Sequence, residues 1–203
     1  MTLRDIYLSD LTQLLDAARQ KLLEWPILAA STESPLLREA FDQHYAQTRI
    51  HQSLIEGTFS HLDERPWPAR FEAFSTVVRV WRTRHLESGP GLMRELSLIT
   101  AALAMDHYTL PIYAEAITAA KAVGDVDGAR TLAAAAAEEQ ARVNRLALFH
   151  DWLATQFGAV ESDQWALSVP NRLWGSNARR LSVLGRPNDS EFATGFLSGA
   201  RHE

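Results

Sequence analysis

The sequence predicts an all-α fold, an up-down bundle of four long helices with one long crossover connection. Two observations carry that expectation. Apolar residues recur at steps of three and four along four long segments, and clusters of Pro, Gly and polar residues separate those segments. The clearest stripe is Leu96, Ile99, Leu103, Asp106, Leu110, Tyr113 and Ile117, apolar throughout except for the carboxylate at its middle. A lone ionised carboxylate there costs several kcal/mol unless a metal, a cation or a proton compensates it.

The first helix is expected from about Leu3 to Trp25, with Leu3, Tyr7, Leu11, Leu14, Ala18, Leu22 and Trp25 as its stripe and Pro26 as its end or a kink. Ser34-Pro35 opens the second, a capping hydroxyl followed by proline at the first helical position, and this helix extends to about Leu62. Residues 63–68 form a connection. A weaker amphipathic segment from about Ala69 to Leu86 makes a short crossover helix, and Ser88-Gly89-Pro90-Gly91 breaks the chain again. The third long helix covers Leu92 to Val123 and should bend at Pro111. Gly124-Asp125 ends it. The fourth runs to about Phe157, through the strongly helix-favouring and close-packing run Ala133 to Ala137. Together these elements give the ferritin-like arrangement over residues 1–158. Residues 159–203 mix Trp165, Trp174, Phe192 and Phe196 with Pro and Gly, which predicts a C-terminal arm with short helices, docked on the bundle or on a protein partner.

Composition narrows the chemistry. The absence of Cys excludes thiolate catalysis and thiolate metal sites. A net charge of -5 with no basic stripe argues against nucleic acid as the main partner. The most apolar stretch, Leu96 to Leu110, is crossed by Thr100, Asp106 and His107, so it predicts a core helix and no membrane span. Met1 to Asp5 lacks the hydrophobic run of a signal peptide, and the expected location is the cytoplasm. No nucleophile elbow or phosphate-binding loop is present.

On the second helix, His44, Gln47 and His51 share one face with Ala40 and Leu54. The fourth helix carries Glu139 and Arg142 on the stripe Leu132, Ala135, Leu146, Phe149 and Leu153. If the stripes face one another, these polar residues meet Asp106 in mid-bundle. Two outcomes follow. Asp106, Glu139, His51 and His44 can form a metal site for iron, manganese or zinc. Alternatively, Arg142, which stays charged and cannot ligate, neutralises Asp106 and Glu139 in an ion network with Gln47 beside it. The stripe argument slightly favours the network. Each His also has a structural reading as a surface or hydrogen-bonded core residue, Glu138 as a solvated neighbour of Glu139, and His107 as a helix-boundary residue.

The stretch Asp16-Ala17-Ala18-Arg19-Gln20-Lys21-Leu22-Leu23-Glu24-Trp25-Pro26 resembles the first-helix motif of the ferritin-like YciE/YciF-type stress-protein family, Asp-Ala-Glu-x-Gln-Leu-Leu-x-x-Leu-Pro. Ser34-Pro35, Leu37, Ala40-Phe41, His44 and Gln47-Thr48 resemble its second helix. Asp106-His107-Tyr108 is similar to its Glu-His-Tyr, and Glu138-Glu139 to its paired Glu. The resemblance spans roughly Ser9 to Leu153. It implies a metal-binding Glu where this chain has Ala18, another where it has Gln47, a longer acid at Asp106, and further acids where Thr109 and Val143 stand. Only Asp106 and Glu139 survive clearly, which describes a degenerate di-iron site.

Three functions remain open at this level. The first is a non-catalytic, stress-associated or interaction bundle without a cofactor, homodimeric as the resemblance and the amphipathic helices imply. The second is an oxidase-like or iron-handling protein with a reduced mononuclear site that binds iron or manganese weakly. The third is a small-molecule binding bundle using Tyr108, Tyr113 and the aromatic residues of the arm.

Overall fold

A computed structural model describes residues 1–68 and 70–168, and their side chains apart from residue 86 and residues 156–168. Among the described residues there are five helices and no strand: α1 (Leu3–Ser31), α2 (Pro35–His61), α3 (Glu72–Glu87), α4 (Leu92–Val123) and α5 (Val126–Ser168). Met1–His150 forms one compact unit, and the described residues from Asp151 to Ser168 belong to a second. None of the described helices is long and apolar enough to cross a membrane.

The helix starts follow from local chemistry. At α1, Asp5 N–H donates to the Thr2 hydroxyl at 3.1 Å and Thr2 N–H donates to the Asp5 carboxylate at 2.6 Å, a reciprocal capping box. The Ser34 hydroxyl accepts from Leu37 N–H at 3.3 Å, and Pro35 occupies the first helical position of α2. Gly124, at φ 84°, adopts the left-handed conformation that closes α4. Asp125 then starts α5: one carboxylate oxygen accepts from Gly128 N–H at 2.8 Å and the other from the Tyr7 hydroxyl at 2.8 Å.

Three boundaries differ from the sequence expectation. α1 passes through Pro26 to Ser31. Pro26 lies on the exposed side, while Leu28 and Ala29 beyond it are buried, so packing carries the helix on despite one lost hydrogen bond. Arg38 closes its end by donating to the carbonyls of Ala29 at 3.2 Å and Thr32 at 2.9 Å. α3 begins at Glu72, later than expected, and has no side-chain cap; Phe71 N–H donates instead to Asp16 of α1 at 2.8 Å. α5 continues to Ser168, so the expected boundary at 158 falls inside a helix, and residues 169–203 of the expected arm lie outside the described residues.

α1 is buried along Tyr7, Leu11, Leu14, Ala18 and Trp25, as its stripe requires, whereas Leu3 is exposed. On α4, Ile99, Asp106 and Tyr113 are buried but Leu96, Leu103, Leu110 and Ile117 are half-buried. The true inward face of α4 is rotated toward Leu98, Ala102, Met105, Thr109, Ala116 and Ala120. Small residues on that face let α1 approach closely. One polar group is left costly: Asp10 is buried, one of its carboxylate oxygens has no partner, and burial followed by repulsion from Glu115 pushes its pKa up to about 6.

Two outcomes are expected. A Cβ at position 128 would collide with the Asp125 carboxylate and the Tyr7 hydroxyl, so Gly128→Ala should cost about 1–3 kcal/mol, read as a lowered midpoint of thermal unfolding. Asp10 is ionised at a cost above pH 6, so Asp10→Asn should raise Tm at pH 7.5 by about 2–4 °C. That gain should vanish near pH 4, where the native carboxyl is already protonated.

Candidate functional site at the bundle centre

Four helices deliver polar side chains to one buried cluster. α4 supplies Asp106 and Thr109, α5 supplies Glu139 and Arg142, α2 supplies Gln47 and His51, and α1 supplies Lys21. Asp106 and Arg142 are 0% exposed and Lys21 is 1% exposed, so these charges answer to one another and not to water.

Lys21 is the residue the sequence reading missed. Its ammonium donates to Asp106 Oδ1 at 2.8 Å, to the Thr109 hydroxyl at 2.8 Å and to Glu139 Oε1 at 3.1 Å. The Thr109 hydroxyl in turn donates to Glu139 Oε2 at 2.6 Å. The signal was present: Leu14, Ala18, Lys21 and Trp25 step by four, three and four, which puts Lys21 on the core stripe where Leu22 was expected. Leu22 is only half-buried.

The expected ion network of Asp106, Arg142 and Glu139 is present and is completed by this second cation. Arg142 Nη2 lies 3.5 Å from Asp106 Oδ1 and 3.3 Å from Glu139 Oε1, and Nη1 donates to Gln47 Oε1 at 2.8 Å. Two cations thus meet two carboxylates inside the unit. Burial alone would raise the pKa of Glu139, but Lys21, the His51 contact, Arg142 and Thr109 outweigh it and hold the carboxyl far below the usual range. Burial opposes the charge on Arg142 as well, and Asp106 and Glu139 overcome it, raising its pKa.

The histidines separate. His51 joins the cluster: Nε2 is 2.8 Å from Glu138 Oε2, and Nδ1 stands 3.8 Å from Glu139 Oε1, beyond hydrogen-bond distance. Glu138 is accordingly more than a solvated neighbour, since it also accepts from Gln47 Nε2. Burial works to raise the Glu138 pKa, and the hydrogen bonds from His51 and Gln47 reverse the shift. His44 is held elsewhere, edge-on to Trp25 with ring centroids 5.1 Å apart, and Trp25 Nε1 donates to Thr48 at 2.9 Å. Burial, then the positive fields of Arg142, Arg145 and Lys21, depress the His44 pKa well below its ordinary value. No hydrogen bond joins His44 to Asp106 or Glu139 among the described residues, and His107 is exposed. Tyr113 borders the cluster, its pKa pushed up by burial and then by the charge on Glu139.

Among the described residues, no group of three or more His, Asp or Glu is gathered closely enough to hold a metal ion. Asp106 Oδ2, His51 Nδ1 and Arg142 Nε are buried without hydrogen-bond partners.

The fold and its polar centre define a ferritin-like helical bundle protein. Residues 2–158 match the family described as "Domain of unknown function (DUF892)", and the chain belongs to that family. Its structure is similar to the stress protein YciF of E. coli, with a TM-score of 0.72 at 22% identity over 76% of this chain and 98% of the other. It is also similar to YcfI of Rhodopseudomonas palustris, with a TM-score of 0.69 at 20% identity over 72% of this chain and 93% of the other. These likenesses bear out the YciE/YciF-type resemblance and the ferritin-like bundle. No curated protein matches the sequence.

The depressed pKa of Glu139 sets a sign for acid stability. A carboxyl whose folded pKa lies below its unfolded value of 4.5 contributes stability above about pH 4.5 and loses it as pH falls toward the folded value. Chemical unfolding followed from pH 7 to pH 2 should show that loss. Glu139→Gln should be less stable at pH 7 and show a shallower fall on the acid side.

Proposed function

We propose that this protein is a non-catalytic ferritin-like bundle, a stress-associated or interaction protein that acts as a cytoplasmic homodimer and carries no metal at its centre. One observation supports the reading most: Asp106 and Glu139 are already shared between the Lys21 ammonium, the Arg142 guanidinium and the Thr109 hydroxyl. The donor set does not fit a divalent metal. An ammonium and a guanidinium, both positive, stand within 3.5 Å of the same carboxylates, and would repel a third cation. Ala18 and Gln47 stand where the resemblance implies metal-binding carboxylates, and Gln47 is engaged with Arg142 and Glu138. The stress association draws on the likeness to YciF, which is at the level of fold.

The reading is tested on the full chain expressed in cells supplemented with iron and manganese. Elemental analysis should find less than about 0.1 equivalent of either metal per chain, and ferrous oxidation should match the protein-free rate. Stoichiometric metal that disappears in Asp106→Ala would overturn the proposal in favour of the oxidase-like or iron-handling alternative. Sedimentation velocity should show a dimer, and a purely monomeric profile would remove that part.

A further inference from the structure

We propose that the hollow where α3 is latched to α1 binds a small phosphate ester, with Arg70 and Arg79 as the guanidiniums that hold its phosphate. The site shares no residue with the buried ion network and goes beyond the reading of the bundle centre. Residues 65–85 carry five arginines and one carboxylate, Glu72, a formal charge of +4 in a chain whose net charge is -5. Split between a loop and a helix, these arginines make no stripe in the sequence. The fold gathers three of them, Arg70, Arg79 and Arg82, around one hollow of about 400 Å³, the size of a small-ligand site.

Local structure explains the gathering. Ser75, Arg79 and Arg82 follow one another at steps of four and three, so they share the face of α3 that meets Gln20 and Glu24 of α1. Arg70 is drawn to the same face because Phe71 N–H, next to it, donates to Asp16 of α1 at 2.8 Å. The three guanidiniums differ in what they already hold. Arg82 is committed: its Nε and Nη2 donate to the two carboxylate oxygens of Glu24 at 3.0 and 2.6 Å. Arg70 and Arg79 form no ion pair among the described residues. Arg70 Nε donates to the Ser75 hydroxyl at 3.3 Å and Arg79 Nη2 to the Thr76 hydroxyl at 3.3 Å, both long and both to neutral oxygens. Glu72 lines the same hollow and pairs with neither.

This supply of charge suits a phosphate better than a carboxylate. One guanidinium fork satisfies one carboxylate, as Arg82 satisfies Glu24. A phosphate monoester brings about two negative charges and three strong acceptor oxygens, enough to engage two forks at once. Beside the arginines the wall is apolar: Leu23 of α1, 69% exposed, and Val78 of α3 offer a surface to the carbon body of the ester. Glu24 and Glu72 in the same wall, and the acidic balance of the whole chain, oppose a long polyanion such as a nucleic-acid backbone. A soluble phosphate ester and the phosphomonoester headgroup of phosphatidic acid offer the same chemistry, and the experiment separates these two sources.

Purified full-length protein is titrated with phenyl phosphate by calorimetry. Its co-sedimentation with phosphatidylcholine vesicles is measured with and without phosphatidic acid, and circular dichroism controls the fold of each variant. Expected is one saturable site per chain for phenyl phosphate, with a Kd below about 1 mM. Arg70→Gln and Arg79→Gln should each weaken binding about tenfold, as the loss of a charged donor does, and Glu72→Gln should tighten it. Arg130→Gln, which removes an exposed positive charge from α5, should leave binding unchanged. Binding of phenyl phosphate without vesicle binding assigns a soluble ester. Binding to phosphatidic acid vesicles that is lost in Arg70→Gln and Arg79→Gln assigns a lipid headgroup, and either outcome supports the site. Absence of saturable binding to both overturns the inference. So does weakening by Arg130→Gln as large as by Arg70→Gln, or a single-stranded oligonucleotide that binds more tightly than phenyl phosphate. None of these variants touches the bundle centre, so such a failure leaves the proposed function standing.

Discussion

The contact on which the bundle depends is the Lys21 ammonium between Asp106 and Glu139. It links α1, α4 and α5 at one point, and Arg142 with Gln47 and His51 with Glu138 bring in α2. Burying four charges is expensive, and a hydrophobic replacement of similar volume is often no less stable. What such a cluster supplies is geometry. Each helix pair is free to slide along an apolar stripe, but a buried charge must meet its partner, so the ion network fixes the register of four helices at once. Losing any one member leaves an uncompensated buried charge, at a cost of about 3–5 kcal/mol.

The periphery is locked by similar means at smaller scale. Glu95, buried at the start of α4, accepts from the Thr32 hydroxyl and from Glu33 N–H at 2.7 Å, which ties α4 to the turn between α1 and α2. The Tyr7 to Asp125 hydrogen bond does the same at the opposite end, between α1 and the turn into α5. The bundle thus has a polar clasp at each end and an ionic one at its middle, with apolar packing between them.

How much of this was visible in the sequence depended on what kind of signal each part leaves. Helix ends marked by local chemistry, such as Ser34-Pro35 and Val123-Gly124, fall where the residues indicate, because a cap is a short-range event. Pro26 misled, since its effect depends on which side of the helix faces the core, and that is a tertiary matter. The inward carboxylates and Arg142 were legible as polar residues interrupting apolar stripes. Lys21 was not, although it interrupts one too. A lysine is ordinarily solvated, and Leu22, four residues after Ala18 and three before Trp25, keeps a helical step as well as Lys21 does while leaving the stripe apolar. His44 and His51 could not be told apart by spacing alone. Their separation comes from aromatic neighbours that only the folded chain assembles.

The way α3 is attached gives the molecule an uneven resistance to opening. Its links to α1 run through Asp16, Gln20 and Glu24, one turn apart, to Phe71 N–H, Ser75 and Arg82, while Phe74, set against Tyr108, is the one fully buried side chain among its described ones. These latches are only part-buried, with Arg82 largely exposed, and compete with water more than the centre of α1, α2, α4 and α5 does. The crossover helix can therefore lift away as a unit without unfolding the four helices beneath it. Amide protons along α3 should exchange with solvent well before those around Asp106, so that the same chain has one element built for local opening and another that opens only with the whole.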